Sequence, residues 1–375
     1  MRLLHIADTH IGKRIHGFPM LEDQRHALSA VCRIAQELRA DAVLVAGDLY
    51  DKSVPSGTST SVLDEFFTVL SGCNIPVFLI TGNHDSAERL AFGSRLFAHS
   101  GVHISAMFEG ELRRVTLTDE HGDVHITLLP YVSPAAVRPY FPAATIQTHH
   151  DAVREILSHT HIDTAARNIL LAHQNVTEYP PSANEAIVGM LDNVHHALFD
   201  AYDYVALGHI HQRYAVGRET VRYAGSLHTT AFSDAQQERG ITMIDCGAKG
   251  DIHTRFVPIV PLHGFRVIKG PIDALLLEGR SHPSDDLFHA VLTDEDDVPD
   301  AMARLRGVYP NMLHLTYHNT RTQTAFCDLP PLDRAQTPTD LLAQFATFFR
   351  AQNGRDLDEA GIDLLRAHLR EMEEE

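Results

Sequence analysis

The chain has 375 residues, 44% of them hydrophobic and 21% charged, with no Trp and 18 Pro scattered along it. This is the composition of a folded protein of two or three domains, and it excludes disordered and fibrous classes. The formal charge of −18 argues on its face against a partner as acidic as DNA or a membrane surface, while 26 His form a large stock of the commonest metal-binding side chain. No apolar run approaches the roughly 20 residues that span a bilayer, and the N-terminal stretch is broken by His5 and Asp8, so neither secretion nor a membrane anchor is expected. Cys32, Cys73, Cys246 and Cys327 form no C-x-x-C pair. Free thiols in a reducing cytoplasm are expected, without a zinc knuckle or a disulfide framework.

In chain order, Leu3 to Ala7, Ala42 to Ala46 and Val77 to Thr81 read as buried strands. Between them lie amphipathic helices, Glu22 to Leu38 and Ser59 to Leu70. Glu111 to Leu117 and Val124 to Leu129 flank a polar turn and read as a hairpin. Asn168 to Ala172 and Tyr204 to Leu207 are two more buried runs, followed by strands at Thr220 to Ala224, Gly240 to Asp245 and Ile252 to Val257. The pattern is α/β, and its length suits two packed sheets, a sandwich flanked by helices.

Two Pro and a Gly between Pro258 and Gly264 mark a boundary. Beyond it, Phe265 to Ile268, Leu287 to Leu292, a helix over Val298 to Arg306, and Met312 to Tyr317 make a small α+β domain. From Thr337 the pattern becomes two amphipathic C-terminal helices, Leu341 to Phe349 and Leu357 to Leu369, separated by Gln352-Asn353-Gly354. Their apolar faces suit docking on a partner. The expected domains are 1–262, 263–335 and 336–375.

The chemistry gathers at strand ends. The first three strands run into Asp8-Thr9-His10, Gly47-Asp48-Leu49-Tyr50-Asp51 and Gly82-Asn83-His84-Asp85; the later buried runs end at His173 and at Gly208-His209-Ile210-His211. Open α/β sheets bind ligands outside the carboxyl ends of their strands. Carboxylate, imidazole and amide groups without thiolate suit manganese, iron, zinc or magnesium. Asp8, His10, Asp48, Asn83, His173, His209 and His211 are too many for one tetrahedral ion, and two ions sharing Asp48 accommodate them. In Asp8-x-His10 and His209-x-His211 the i, i+2 spacing puts both side chains of an extended segment on one side.

DTH, GDLYD, GNHD, the isolated His173 and GHIH resemble the signature of the calcineurin-like metallophosphoesterase superfamily. More narrowly, MRLLHIADTHIGK, Tyr223-Ala224-Gly225-Ser226-Leu227 with Glu238-Arg239-Gly240, and the C-terminal helix pair resemble the SbcD family of DNA nuclease subunits. The resemblance spans essentially the whole chain. It implies a metallophosphoesterase domain, a capping domain that helps select DNA, and a C-terminal helical segment that binds SbcC, a coiled-coil ATPase. It further implies that Asp8, His10, Asp48 and His211 hold one Mn2+ ion and that Asp48, Asn83, His173 and His209 hold the other. His84 would face the scissile phosphate as the catalytic residue, with Asp85 orienting it.

Two such ions lower the pKa of water and neutralise charge gained in an in-line attack. The chain has no phosphate loop of the Gly-x-x-x-x-Gly-Lys-Ser/Thr type, so ATP would belong to another chain. The implied activities are double-strand 3'-5' exonuclease and single-strand or hairpin endonuclease, in DNA repair, recombination and replication. A homodimer within a heterotetramer, in the cytoplasm at the nucleoid, is the implied assembly. The alternative is a small-molecule or phosphoprotein phosphoesterase. Against its phosphoprotein branch, Lys52 and Ala87 stand where those enzymes usually carry Arg.

Counted by segment, residues 1–270 hold 22 Lys+Arg and 29 Asp+Glu, whereas residues 271–375 hold 9 and 20. The acidity is concentrated away from the metal motifs, and bound cations must be counted with their site. Weak DNA binding by this chain alone is expected.

Overall fold

A computed structural model describes residues 1–178, 192–320, 322, 341–353, 356–359 and 361–366. The chain divides into two compact units, Met1–His263 and Gly264–Glu375.

In the first unit, the strands that build the two large sheets are β1 Arg2–Ile6, β2 Ala42–Ala46, β3 Val77–Ile80, β4 Val102–Ser105, β5 Arg113–Asp119, β6 Gly122–Leu129, β7 Arg167–His173, β8 Tyr204–Gly208, β9 Tyr214–Val216, β10 Arg218–Tyr223, β11 Gly240–Cys246 and β12 Ile252–Pro258. One sheet has the order β12-β11-β1-β2-β3-β4 and the other β9-β10-β8-β7-β6-β5. In each, four strands run parallel, β1 to β4 in the first and β6, β7, β8 and β10 in the second. Parallel strands buried on both faces read as continuous apolar runs, which is why AVLVA, VFLI and NILLA were legible.

Leu3, Leu44, Phe78 and Ile80 from one sheet pack with Ile126, Leu128, Leu171 and Ala206 from the other to form the inter-sheet core. The outer face of the first sheet is covered by helices Leu21–Glu37 and Gly57–Gly72, through Leu28, Val31, Ala35, Phe66 and Leu70. Ser56 caps the second of these, its Oγ accepting from Ser59 N at 3.1 Å. Helix His149–Ser158 covers the other sheet through Val153 and Ile156. The result is the expected two-sheet α/β sandwich flanked by helices.

Arg167, 2% exposed, ties the sheet ends together. It donates to both Asp119 carboxylate oxygens and to the carbonyls of Gly122 and Gly247, and the N-terminal ammonium lies 2.9 Å from Asp119. Breaking a buried pair leaves its partner unmatched. Arg167→Ala should therefore lose about 3–5 kcal/mol of stability in denaturant unfolding, whereas a loss below about 1 kcal/mol would show that the pair contributes only as a surface bridge does.

In the second unit, β13 Phe265–Gly270, β14 Leu287–Leu292 and β15 Met312–Tyr317 form an all-parallel sheet. Parallel neighbours need crossovers, so two helices appear, Ile272–Ser281 and Ala301–Arg306, where the sequence indicated one. The second begins later than Val298 because Pro299 precedes an Asp300 held at φ 52°. Helix Leu341–Asn353 and helical residues 361–366 correspond to the two expected C-terminal helices. Cys327, Gly354 and the end of the last expected helix lie outside the described residues, while Cys32, Cys73 and Cys246 are free thiols. Among the described residues, no helix is long and apolar enough to cross a membrane.

Candidate metal centre

The residues singled out in the sequence leave the carboxyl ends of β1, β2, β3, β7 and β8 and converge on one edge. The backbone there is strained. Asp8, His10, Asp48 and His209 have φ of 52°, 40°, 51° and 103°, in the region that side chains with a Cβ avoid, so Asp8-x-His10 and His209-x-His211 are not the extended segments expected from their spacing. Such strain persists only where the surroundings over-determine it. Here Asp8 N donates to Gly47 O at 3.1 Å and His10 N to Asp48 O at 3.0 Å. Gln24, from helix Leu21–Glu37, donates to His10 O at 2.6 Å and accepts from Gly12 N at 2.9 Å.

Glycines allow the close approach. A Cβ on Gly82 would lie 2.1 Å from Asp48 Oδ1, and one on Gly208 would lie 1.8 Å from Ala46 O. Asp85 accepts from the backbone N–H groups of Gly82, Leu49 and Tyr50 at 2.9–3.1 Å and so staples the β2 and β3 loops. This corrects the expectation that Asp85 orients His84. The His84 ring is held instead by Nδ1–H donating to Asp51 O at 3.1 Å.

Ligand atoms of Asp8, His10 and His211, of His10, Asp48 and His84, and of Asp8, Asp48 and His173 lie within 4.8 Å of one another as three overlapping groups. His10 Nε2 and His211 Nε2 are 2.9 Å apart. Asn83 Oδ1 lies 3.2 Å from His173 Nε2 and 3.0 Å from His209 Nδ1. Asp48 Oδ2 lies 3.4 Å from His173 Nε2 and 3.6 Å from His10 Nε2. All seven candidate ligands are thus brought together, and His84 stands at their rim with its side chain exposed.

The electrostatics call for cations. Burial, with Asp48 nearby, pushes the Asp8 carboxyl up to about 7. Burial also acts against the Asp48 carboxylate, but its hydrogen bond to His173 holds it well below the usual range. His173 is the counterpart: burial opposes its charge, yet Asp48 lifts it to about 9. Burial lowers His10 to about 3 and His209 to about 4, and lowers His211 too, so these rings stay neutral and present lone pairs. His10 Nδ1 is a buried nitrogen with no hydrogen-bond partner. Neutral imidazoles, carboxylates and an amide oxygen around a buried carboxylate pair fit divalent cations.

Two neighbours went unnoticed in the sequence. Gln24 reads as a polar helix position, although it is buried and carries the loop of Asp8-Thr9-His10. Tyr131 follows the buried run of β6 just as the ligands follow theirs, so the strand-end rule could have found it. Its N–H donates to Thr81 O at 3.0 Å, and its ring meets His173 edge-on at 6.4 Å. Most of the 26 His lie elsewhere. His5, for instance, is a buried crosslink between the sheets, with Nδ1 3.0 Å from Tyr204 Oη and Nε2 3.2 Å from Leu207 O.

Residues 1–213 match the family model of the calcineurin-like phosphoesterases, and residues 261–349 match one described as the type 5 capsule protein repressor C-terminal domain. A curated relative, the SbcD subunit of the nuclease SbcCD from Staphylococcus epidermidis, is 31% identical over 322 residues, 84% of this chain and 85% of the relative. Among solved structures, a Thermus thermophilus protein aligns at TM-score 0.39 and 15% identity, over 68% of this chain and 98% of its own. A dimetal phosphatase from Danio rerio aligns at TM-score 0.38 and 12% identity, over 70% and 98%. The family match over more than half of the sequence and the relative along most of it place the chain in the calcineurin-like phosphoesterases, metal-dependent hydrolases of phosphoric esters, and there in the SbcD branch.

Proposed function

We propose that this chain is the manganese-dependent nuclease subunit of an SbcCD complex, hydrolysing DNA phosphodiester bonds as a double-strand 3'-5' exonuclease and a single-strand or hairpin endonuclease. The observation that carries the reading is the convergence of seven donor residues at five strand ends, several of them in strained backbone. Asp8, His10, Asp48 and His211 would hold one Mn2+ and Asp48, Asn83, His173 and His209 the other. When bound, the ions supply an activated water and neutralise charge gained at the phosphate.

The chain's own residues do the rest. Asp48 faces both halves of the cluster. With Nδ1–H given to Asp51 O, His84 Nε2 is the nitrogen that, carrying the second proton of the imidazolium, would stabilise or protonate the departing oxygen. Residues 263–335 would cap the site and help select DNA, and residues 336–375 would dock on SbcC. Support for docking comes from the exposed Phe345, Phe348 and Leu364. A homodimer within a heterotetramer is the proposed assembly, and the exposed Phe92, Leu96 and Phe97 offer an apolar face for it. The proposed location is the cytoplasm, at the nucleoid.

The test is cleavage of a labelled hairpin duplex with manganese, with and without SbcC, beside bis-p-nitrophenyl phosphate. Hairpin cleavage with SbcC is expected, and it should disappear together with SbcC co-purification when residues from Thr337 onward are deleted. Turnover of the small ester without DNA cleavage in either preparation would refute the reading in favour of a small-molecule phosphoesterase.

A further inference from the structure

We propose that Thr230 and Asp234, braced by Arg239, are positioning residues that fix the ring of His211 so that its Nε2 presents a lone pair to a metal ion. This inference rests on the metal reading above and adds residues that lie outside the metal-ligand motifs.

Thr230 is buried, and its Oγ1 lies 3.3 Å from His211 Nδ1 and 3.3 Å from Asp234 Oδ2. A hydroxyl has one proton. A carboxylate oxygen accepts, so Thr230 donates its proton to Asp234 and can only accept from His211. That requires the His211 proton to sit on Nδ1, leaving the lone pair on Nε2. Nε2 is the nitrogen 2.9 Å from His10 Nε2, inside the cluster with Asp8.

Arg239 fixes the same residue through its backbone. Its Nη1 donates to His211 O at 2.6 Å and to Ser226 Oγ at 3.0 Å, while Nη2 lies 3.3 Å from Asp234 Oδ2. Ser226 N also donates to His211 O, at 3.1 Å. One guanidinium therefore spans the His211 carbonyl and the carboxylate that orders Thr230. His173 reaches the same end by a different route, its Nδ1–H donating to Ala46 O at 2.8 Å. Partners of this kind fix a ligand's tautomer, and losing one typically costs about 10–100-fold in metal affinity.

The experiment is manganese titration of the full chain as wild type, Thr230→Val and Thr230→Ser. It is paired with a long-range proton–nitrogen NMR spectrum of metal-free protein, in which His211 is assigned by its disappearance in His211→Asn. Thr230→Val should weaken one of two manganese sites about 10–100-fold and leave the other unchanged, with Thr230→Ser restoring it. The spectrum should show His211 protonated at Nδ1 in wild type and as a mixture of tautomers in Thr230→Val. Wild-type affinity at both sites, with an unchanged His211 tautomer in Thr230→Val, would overturn the proposal. Because the spectrum needs no metal, it judges Thr230 even if wild-type protein takes up no manganese, a result that would remove the metal reading itself.

Discussion

Replacing His84 with Ala should reduce phosphodiester cleavage by about 10²–10⁴-fold, the usual contribution of a positioned proton donor, while two manganese ions per chain remain bound. The backbone explains why the two effects separate. His84 N–H donates to Asp48 Oδ1 at 2.9 Å, a bond that Ala preserves, so the Asp48 carboxylate keeps its orientation. What disappears is the ring, held by Asp51 O and packed edge-on against His10 at a centroid distance of 4.9 Å. Metal stoichiometry decides the role. A ring nitrogen of His84 lies within 4.8 Å of ligand atoms of His10 and Asp48, close enough to serve as a ligand. If His84→Ala loses an ion, His84 is a ligand and its role as proton donor is wrong.

Asp48→Asn should abolish high-affinity binding of both ions and take cleavage to background, because one side chain faces both halves of the cluster. Its Oδ2 lies 3.4 Å from His173 Nε2 and 3.6 Å from His10 Nε2, and its Oδ1 is fixed by the loop that carries Asn83. Asn matches the shape but removes the charge and replaces one acceptor by a donor. The change relieves a like-charge neighbour of buried Asp8 but also removes the charge that pairs with buried His173, so the fold should persist with lowered stability. Equilibrium dialysis with manganese, alongside thermal melting, checks both halves: a cooperative transition at lowered temperature with no ion retained is expected. Retention of one tightly bound ion would show that Asp48 serves a single metal.

The convergence of the candidate ligands was legible because they obey one rule, that each follows a buried run at the carboxyl end of a parallel strand. Periodicity then found the helices over these strands, since Val31, Ala35, Phe66 and Leu70 repeat on one face. Roles set by backbone contacts were not legible. Asp85 is adjacent to His84 in sequence, yet its oxygens are taken by three amides, a fact that no side-chain pattern carries. Gln24 belongs to the site through a carbonyl and an amide for the same reason. Helix Ile272–Ser281 escaped notice because Leu275-Leu276-Leu277 reads as a short apolar run, while Leu277 is in fact exposed. The parallel register of β13 to β15, which requires that helix, is a pairing that one sequence does not display.

The charge also reads differently once the site is in view. The overall −18 is unevenly spread, and the cluster of buried carboxylates belongs with the cations it would bind.

The central claim, two divalent ions sharing Asp48, is tested most directly by electron paramagnetic resonance of manganese-loaded protein, wild type beside Asp48→Asn. The account predicts two ions per wild-type chain giving a spin-coupled pair signal, and no coupled pair in the variant. One ion per wild-type chain, two ions with independent signals, or a coupled pair that survives in Asp48→Asn would contradict it.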